Sequence, residues 1–95
     1  MKYFGAALYH AARHELDYAV FYAGLSEHPG AAELIALCRK EQAVCDDLKI
    51  KACGYGMKKW YKHAAKQFAA ALERNAQDET ARRGLIDTAG KGFIL

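Results

Sequence analysis

Two histidines, His10 and His14, lie four residues apart, a spacing that places both imidazoles on one face if the segment is helical. Asp17 follows three residues later, so the three side chains form a candidate zinc-type metal site. Together with Glu15 and Glu41, the histidines would serve a metal-dependent or redox enzyme. The alternative is that they are partly exposed residues flanking a turn, and we favour it because no further Cys or carboxylate pattern accompanies them.

Other reactive residue types lack a spacing that specifies a reaction. The glycines Gly84 and Gly90 to Gly92 are not part of a Gly-Lys-Ser/Thr or Gly-x-Gly-x-x-Gly phosphate loop. No Ser/His/Asp or Cys/His arrangement stands out either. We therefore expect a protein that is not an enzyme and that uses no cofactor and no metal.

A basic and aromatic segment is the strongest sign of a binding surface. It comprises Lys58-Lys59-Trp60-Tyr61-Lys62-His63 together with Lys66. Lysines attract phosphates or carboxylates and aromatic rings can stack on bases, so the segment suggests a nucleic-acid-binding helical protein as an alternative function. A solvated helix face with Trp60 half-buried explains the same residues, and a net charge of +3 is modest for a nucleic-acid-binding protein.

The three cysteines, Cys38, Cys45 and Cys53, indicate a reducing compartment. They are seven and eight residues apart, about two helical turns each, which is too far for any two to form a disulfide within one helix. We expect reduced, mostly buried thiols. With no signal-peptide pattern after Met1 and no apolar run of about 20 residues, the sequence predicts a cytoplasmic protein that does not bind a membrane.

The composition predicts one all-α domain over residues 1–95. The chain has one Pro and many helix-forming residues, and no segment is rich in the β-branched residues that favour strands. Residues 54–95 carry eight Lys/Arg against four Asp/Glu, whereas residues 1–53 carry six against seven. The C-terminal half is therefore the basic half.

The positions of Gly, Pro and apolar residues divide the chain into helices. A first hairpin is predicted at residues 1–30 and ends with a turn at residues 27–30. Within it, residues 3–27 form either one long helix or two helices. Residues 31–54 predict a long helix ended by the Gly54-Tyr55-Gly56 triplet. Its apolar stripe consists of Leu34, Leu37, Cys38, Val44, Cys45, Leu48 and Ala52.

Residues 55–90 predict a second helical unit. Its first helix ends near Asn75, and Gln77-Asp78-Glu79 supplies an N-cap for a shorter helix that Gly90 and Gly92 stop. The apolar tail at residues 91–95 should dock on the core or on another subunit, because it is unfavourable in water.

The segment from Leu48 to Leu85 resembles a tetratricopeptide repeat, a 34-residue helix-turn-helix unit. The signature positions of that repeat are occupied here by Tyr55, Tyr61, Ala64, Phe68, Ala71 and Leu72. The segment from His14 to Pro29 is weakly similar to the turn, second helix and closing Pro of the same repeat. The equivalent positions Pro29 and Ala76 are 47 residues apart, longer than a strict tandem repeat.

This resemblance implies a right-handed stack of antiparallel α-hairpins with about five helices. It also implies a protein-protein interaction module, acting as an adaptor, a small chaperone or a structural subunit of a larger assembly, with another protein or a second copy as the partner. The candidate partner-binding residues are Lys49, Lys59, Trp60, Lys62, Arg83, Phe93 and Leu95.

A second alternative is a ferritin-like metal or redox protein. Glu15, Tyr22 and Glu41 are slightly similar to the helices of ferritin-like and rubrerythrin-like di-iron proteins. That family needs Glu-x-x-His pairs, and here Val44 stands three residues after Glu41. The resemblance therefore lacks its metal-binding motif.

Overall fold

The computed structural model describes the backbone of residues 2–94 and the side chains of residues 2–91. Over residues 2–94 the fold is all-α, as predicted, and the five helices of this range pack as antiparallel hairpins. Their bounds are α1 Lys2–Ala12, α2 Leu16–Leu25, α3 Ala31–Met57, α4 Tyr61–Arg74 and α5 Glu79–Ile94. Within residues 2–94, none of these helices is long and apolar enough to cross a membrane.

The first hairpin consists of two separate helices, which answers the question that the sequence left open. His14, with φ of 60°, adopts the left-handed conformation and reverses the chain. The Arg13 and Glu15 N–H groups both donate to the His10 carbonyl (3.1 and 2.9 Å), and the His14 N–H donates to the Ala11 carbonyl (3.0 Å). These bonds satisfy carbonyls that the end of α1 would otherwise leave without partners.

The turn predicted at Gly54-Tyr55-Gly56 is wrong, because α3 continues through both glycines to Met57. The described glycines have no positive φ, so Gly54 and Gly56 are ordinary helical residues. The chain reverses instead at Lys59, a non-glycine residue with φ of 62°. Helix α5 likewise continues past Gly90, where the sequence predicted its end.

Both hairpins pack along helix α3. Its buried residues Ala31, Cys38, Cys45 and Ala52 recur every seven positions and therefore follow one face. Helix α2 packs on the first half of this face and α4 on the second half. The two hairpins therefore lie one after the other along α3, and the molecule measures 51 × 18 × 14 Å.

Small residues form most of the core. Among residues 2–91, eight of the twelve buried hydrophobic residues are alanines, and they allow close approach of the helices. Ala64, Phe68 and Ala71 of α4 are buried, and the Phe68 ring lies against the backbone of Gly84 on α5. Leu37 and Val44, predicted on the apolar stripe of α3, are exposed because they lie beside the face that α2 and α4 cover.

Candidate interaction surfaces

The two hairpins meet at a polar junction halfway along α3, where the turn after α1 contacts the turn after α4. Three hydrogen bonds join these turns: Ala76 N–H to the His14 carbonyl (2.8 Å), Leu16 N–H to Asn75 Oδ1 (3.3 Å) and Tyr18 N–H to Gln77 Oε1 (3.0 Å). Asn75 is almost fully buried, and its amide also donates to Gln42 Oε1 (2.6 Å). The junction therefore holds the two halves of the molecule in one orientation.

Asp78 anchors the start of α5 beside this junction. Its Oδ1 accepts the Ala81 N–H (3.0 Å), so it caps the helix as the sequence predicted. Its Oδ2 accepts from Lys49 Nζ (2.7 Å), Cys45 Sγ (3.3 Å) and Gln42 Nε2 (3.2 Å). These bonds connect α3 to the end of α4 and the start of α5.

These contacts also determine the pKa values of Asp78, Lys49 and Cys45. Burial alone would raise the pKa of Asp78, but the hydrogen bonds from Lys49, the Ala81 N–H and Cys45 outweigh it and lower the pKa to about 2. Burial would lower the pKa of Lys49, but its bonds to Asp78 and Asp46 raise it to about 12. Burial and the neighbouring Asp78 raise the pKa of Cys45 to about 12, so this cysteine is an unreactive thiol at neutral pH.

An open groove of about 660 Å³ lies between the end of α1, the middle of α3 and the end of α4. Its apolar lining includes Leu16, Leu34 and Leu37, and Leu37 is 58% exposed. Charged residues also line it, and Arg74 Nη1 lies 3.0 Å from Glu41 Oε2. Glu41, which the sequence placed on the apolar stripe, thus meets a basic partner.

An aromatic seam with several exposed rings runs along α1 and α2. It consists of Tyr3, Tyr9, His10, Tyr18, Phe21 and Tyr22. Tyr22 stacks on His10 with ring centroids 5.4 Å apart and on Tyr3 with centroids 6.5 Å apart. Tyr9 and Phe21 are 57% and 60% exposed. His10 and Tyr22 are partly buried between the other rings, and Tyr3, Tyr9, Tyr18 and Phe21 are exposed to solvent.

Charged groups flank one end of the seam. The Arg13 guanidinium lies 5.4 Å from the centroid of the Tyr9 ring and donates to the Tyr9 hydroxyl (3.0 Å). His10 Nδ1 and Arg13 Nε lie 3.0 and 3.2 Å from Glu15 Oε1. The hydrogen bond with His10 lowers the pKa of Glu15, and the nearby Arg13 charge lowers it further. These contacts order the side chains before any partner binds.

The basic and aromatic segment forms the end of the molecule where α3 turns into α4, which we call the basic end (residues 55–63). The Tyr55 and Trp60 rings stack with centroids 5.9 Å apart, and the centroid of the His63 ring lies 6.0 Å from that of Trp60. Lys58 Nζ lies 5.0 Å from the Trp60 centroid. Trp60 is 50% exposed, in agreement with the half-buried position considered from the sequence.

The structure divides the predicted partner-binding residues between two regions. Lys59, Trp60 and Lys62 lie together at the basic end. Lys49 is half-buried beside Asp78, and Arg83 is exposed near the start of α5, with its Nε 3.2 Å from Glu79 Oε1. The remaining predicted residues, Phe93 and Leu95, lie outside the residues whose side chains are described.

The candidate metal ligands are not gathered into one group, although His10 Nδ1 lies 3.0 Å from Glu15 Oε1. Helix α1 ends at Ala12, so His14 does not share a helical face with His10. Among the described residues, no three His, Cys, Asp or Glu side chains are grouped so that they could hold a metal ion.

The aromatic seam was not identified from the sequence, although a signal is present. Tyr18, Phe21, Tyr22 and Leu25 recur at intervals of three and four, which is helical spacing. This periodicity is typical of a core face, whereas in the structure Ala19 and Ala23 are the buried residues of α2. No protein-family model, curated protein or solved structure matches the chain.

Proposed function

We propose that this protein is a protein-protein interaction module that binds a polypeptide through the aromatic seam of α1 and α2. One observation supports the proposal above all: alanines fill much of the core, while four rings of the seam, Tyr3, Tyr9, Tyr18 and Phe21, are exposed. Exposed aromatic surface is enriched at protein interfaces, because rings bury much area and lose little conformational entropy on binding. An adaptor or a structural subunit of a larger assembly fits this arrangement.

The charge around the seam favours a polypeptide over a nucleic acid as its partner. Residues 1–47 carry four Lys/Arg against seven Asp/Glu, so this half of the molecule repels phosphates. Glu15 and Asp17 are the acidic residues next to the seam in the sequence. A partner with apolar and basic side chains complements both features.

The resemblance to a tetratricopeptide repeat belongs to the same proposal. Buried Ala64, Phe68 and Ala71 support it, since these are signature positions of the repeat. The free cysteines support the proposed cytoplasmic location, because reduced thiols are typical of that compartment.

Site-specific photocrosslinking in the source cells tests the function. A benzophenone amino acid at position 21 keeps an aromatic ring in the seam, and the same residue at exposed Ile86 on α5 is the matched control. We expect a discrete polypeptide adduct from position 21 that position 86 does not give and that Tyr18→Ser diminishes. Equal adducts at both positions, or no polypeptide adduct at position 21, would contradict the proposal.

Nucleic-acid binding at the basic end is a second candidate function. Between Leu48 and Leu72 the chain has six lysines and no Asp or Glu, and Trp60 is half-exposed among them. This function predicts binding of single-stranded RNA that weakens steeply with salt. Charge reversal of Lys59, Lys62 and Lys66 should abolish it, and salt-independent or undetectable binding in a fluorescence-anisotropy titration would exclude it.

A further inference from the structure

Two turns of the molecule are built in the same way, and within residues 2–94 only one of them is hydrogen-bonded to another turn. The Lys58 and Trp60 N–H groups donate to the Tyr55 carbonyl (3.1 and 2.9 Å), and the Lys59 N–H donates to the Gly56 carbonyl (3.0 Å). This bonding repeats that of residues 10–15, and left-handed Lys59 stands 45 residues after left-handed His14. The α3–α4 turn is thus a structural repeat of the α1–α2 turn.

The helices on each side of these turns repeat as well. Ala7 and Ala19 of the first hairpin correspond to Ala52 and Ala64 of the second, again 45 residues later. All four side chains are completely buried. The equivalence therefore extends to the close contacts within each hairpin.

A second kind of turn also occurs twice. Ser26 and Asn75 end α2 and α4 with extended backbone conformations. Each side-chain oxygen accepts the N–H two residues later: Ser26 Oγ from His28 (3.0 Å) and Asn75 Oδ1 from Gln77 (3.1 Å). The α2–α3 turn is therefore similar to the α4–α5 turn.

At the polar junction, the α1–α2 turn contacts the α4–α5 turn, so a turn of the first kind packs on a turn of the second kind within one chain. There Asn75 and Gln77 accept the N–H groups of Leu16 and Tyr18, which begin α2. The remaining two turns lie at opposite ends of α3, about 40 Å apart for 27 residues. Among the residues whose side chains are described, none caps the start of α4, and Lys91 Nζ lies 5.5 Å from the centroid of the Tyr61 ring beside it.

We propose that a second copy of this chain docks head to tail, with the α3–α4 turn of one copy on the α2–α3 turn of the next. The contact reproduces the polar junction between molecules, with Ser26 and His28 of the second copy facing the start of α4. It lies at the ends of the molecule and borders the aromatic seam only at Tyr3. The inference does not rest on the function proposed for the seam.

Charge and apolar surface at the two ends are complementary. Lys58, Lys59 and Lys62 are exposed at the basic end. Two glutamates, Glu27 and Glu33, are exposed together with Lys2 at the opposite end. Opposite charges on the two faces favour this orientation and oppose docking of like ends.

Apolar groups accompany these charges. Met57 is 86% exposed beside Trp60 at the basic end. At the opposite end, an open cavity of about 280 Å³ is lined by two apolar or aromatic residues, Tyr3 and Leu25, and three polar ones, Lys2, Ser26 and Glu27. Its size admits a protruding side chain, and Leu25 and Tyr3 offer Met57 an apolar contact.

A head-to-tail contact leaves one free end of each kind, so it extends into a chain of molecules instead of stopping at a dimer. Sedimentation equilibrium of the full chain should therefore show an average mass that keeps rising with protein concentration. A constant monomer mass, or a mass that stops at the dimer, would overturn the proposal.

Reversing the charge of Lys62 or of Glu27 tests whether the basic end of one copy contacts the opposite end of the next. Lys62→Glu and Glu27→Lys each place like charges at the contact, and each alone should need an about tenfold or higher concentration to assemble. An equimolar mixture restores opposite charges at every contact and should assemble like the wild type. Lys40→Glu, at an exposed position in the middle of α3, is the charge-matched control and should assemble normally.

The equimolar mixture also controls for unfolding. If the mixture assembles, both variants are folded, and the loss of assembly in each variant alone is due to the like charges. Assembly unaffected by either reversal, or a mixture that stays monomeric, would overturn the head-to-tail contact. Crosslinking from position 21 is measured separately, so loss of self-assembly with a surviving position-21 adduct rejects this inference and leaves the proposed function standing.

Discussion

Asp78 illustrates how one carboxylate can organise several elements. It caps α5 and accepts hydrogen bonds from Lys49 and Cys45 on α3. The donors outnumber those of an ordinary surface carboxylate, and the side chain is only 7% exposed. Its ionised form is therefore favoured in the folded state, and the fold depends on it.

The low pKa of Asp78 predicts a pH-dependent stability. Because the folded value of about 2 lies below the ordinary 3.8, the stabilisation is present above about pH 4 and disappears as the pH falls towards 2. The shift corresponds to about 2 kcal/mol. Urea unfolding at neutral pH should show a loss of this order for Asp78→Asn, and the variant should lose less stability than the wild type between pH 4 and pH 2.

Asp47→Asn, at an exposed position of α3, is the control and should follow the wild type at every pH. Identical acid profiles for Asp78→Asn and the wild type would show that the carboxylate does not have the role assigned to it.

Two glycines of α5 give opposite predictions. A Cβ at Gly84 would overlap the Phe68 ring, whereas a Cβ at Gly90 has nothing within 4 Å. Gly84→Ala should cost about 1–3 kcal/mol because it overpacks the core. Gly90→Ala should raise stability by up to about 1 kcal/mol, since alanine favours the helix. Thermal unfolding of both variants checks the packing of α4 on α5, and equal melting temperatures would contradict it.

Residue-level prediction worked where local chemistry decides the outcome. The cap at Asp78 follows from its position before the apolar pattern of α5, and Ala64 and Phe68 are buried as their helical spacing indicates. Leu37 and Val44 have the same spacing but are exposed. Their burial depends on whether a neighbouring helix covers that side of α3, and local periodicity does not contain this information.

At the scale of elements, the length of α3 is the least expected feature. Gly54 and Gly56 suggested a turn, yet both lie within the helix. A helix tolerates glycine at a cost of about 1 kcal/mol when neighbouring contacts hold it. The chain reverses at His14 and Lys59, which are not glycines, so the glycine positions do not predict where it turns.

Substitution of Gly54 distinguishes the two descriptions of this segment. In a continuous helix with nothing within 4 Å of the added Cβ, Gly54→Ala should stabilise the protein by about 0.5–1 kcal/mol. In a glycine turn with positive φ, the same change would destabilise it. Chemical denaturation of Gly54→Ala therefore tests α3 directly, with Gly90→Ala as a reference for the effect of an exposed helical glycine.

At the scale of the whole molecule, the two similar hairpins are far apart in the sequence because both α2 and α4 pack on the same long helix, α3. A 27-residue helix serves α2 with its first half and α4 with its second half, so the second hairpin begins later than in a 34-residue tandem. The sequence predicted the helix class and hairpin pairing, because amphipathic patterns and turns are local. The end-to-end arrangement depends on the hydrogen bonds of Asn75 and Gln77 to distant N–H groups.

The candidate site was predicted only in part from the sequence. Lys59, Trp60 and Lys62 were singled out and lie together in the structure. The seam formed by residues such as Tyr9 and Phe21 was not, because exposed and buried aromatic residues have the same periodicity on a helix. Their exposure follows from the alanines that fill the contacts below them.

Native mass spectrometry of the protein isolated from its source, for the wild type and Phe21→Ser, tests the interaction function most directly. One spectrum distinguishes a polypeptide partner, further copies of the chain, nucleic acid and metal by mass. We expect the wild type to be bound to another polypeptide and the seam variant to have lost it. A wild-type spectrum containing only the bare 10.5 kDa chain, or only nucleic-acid or metal adducts, would contradict the function proposed for the seam.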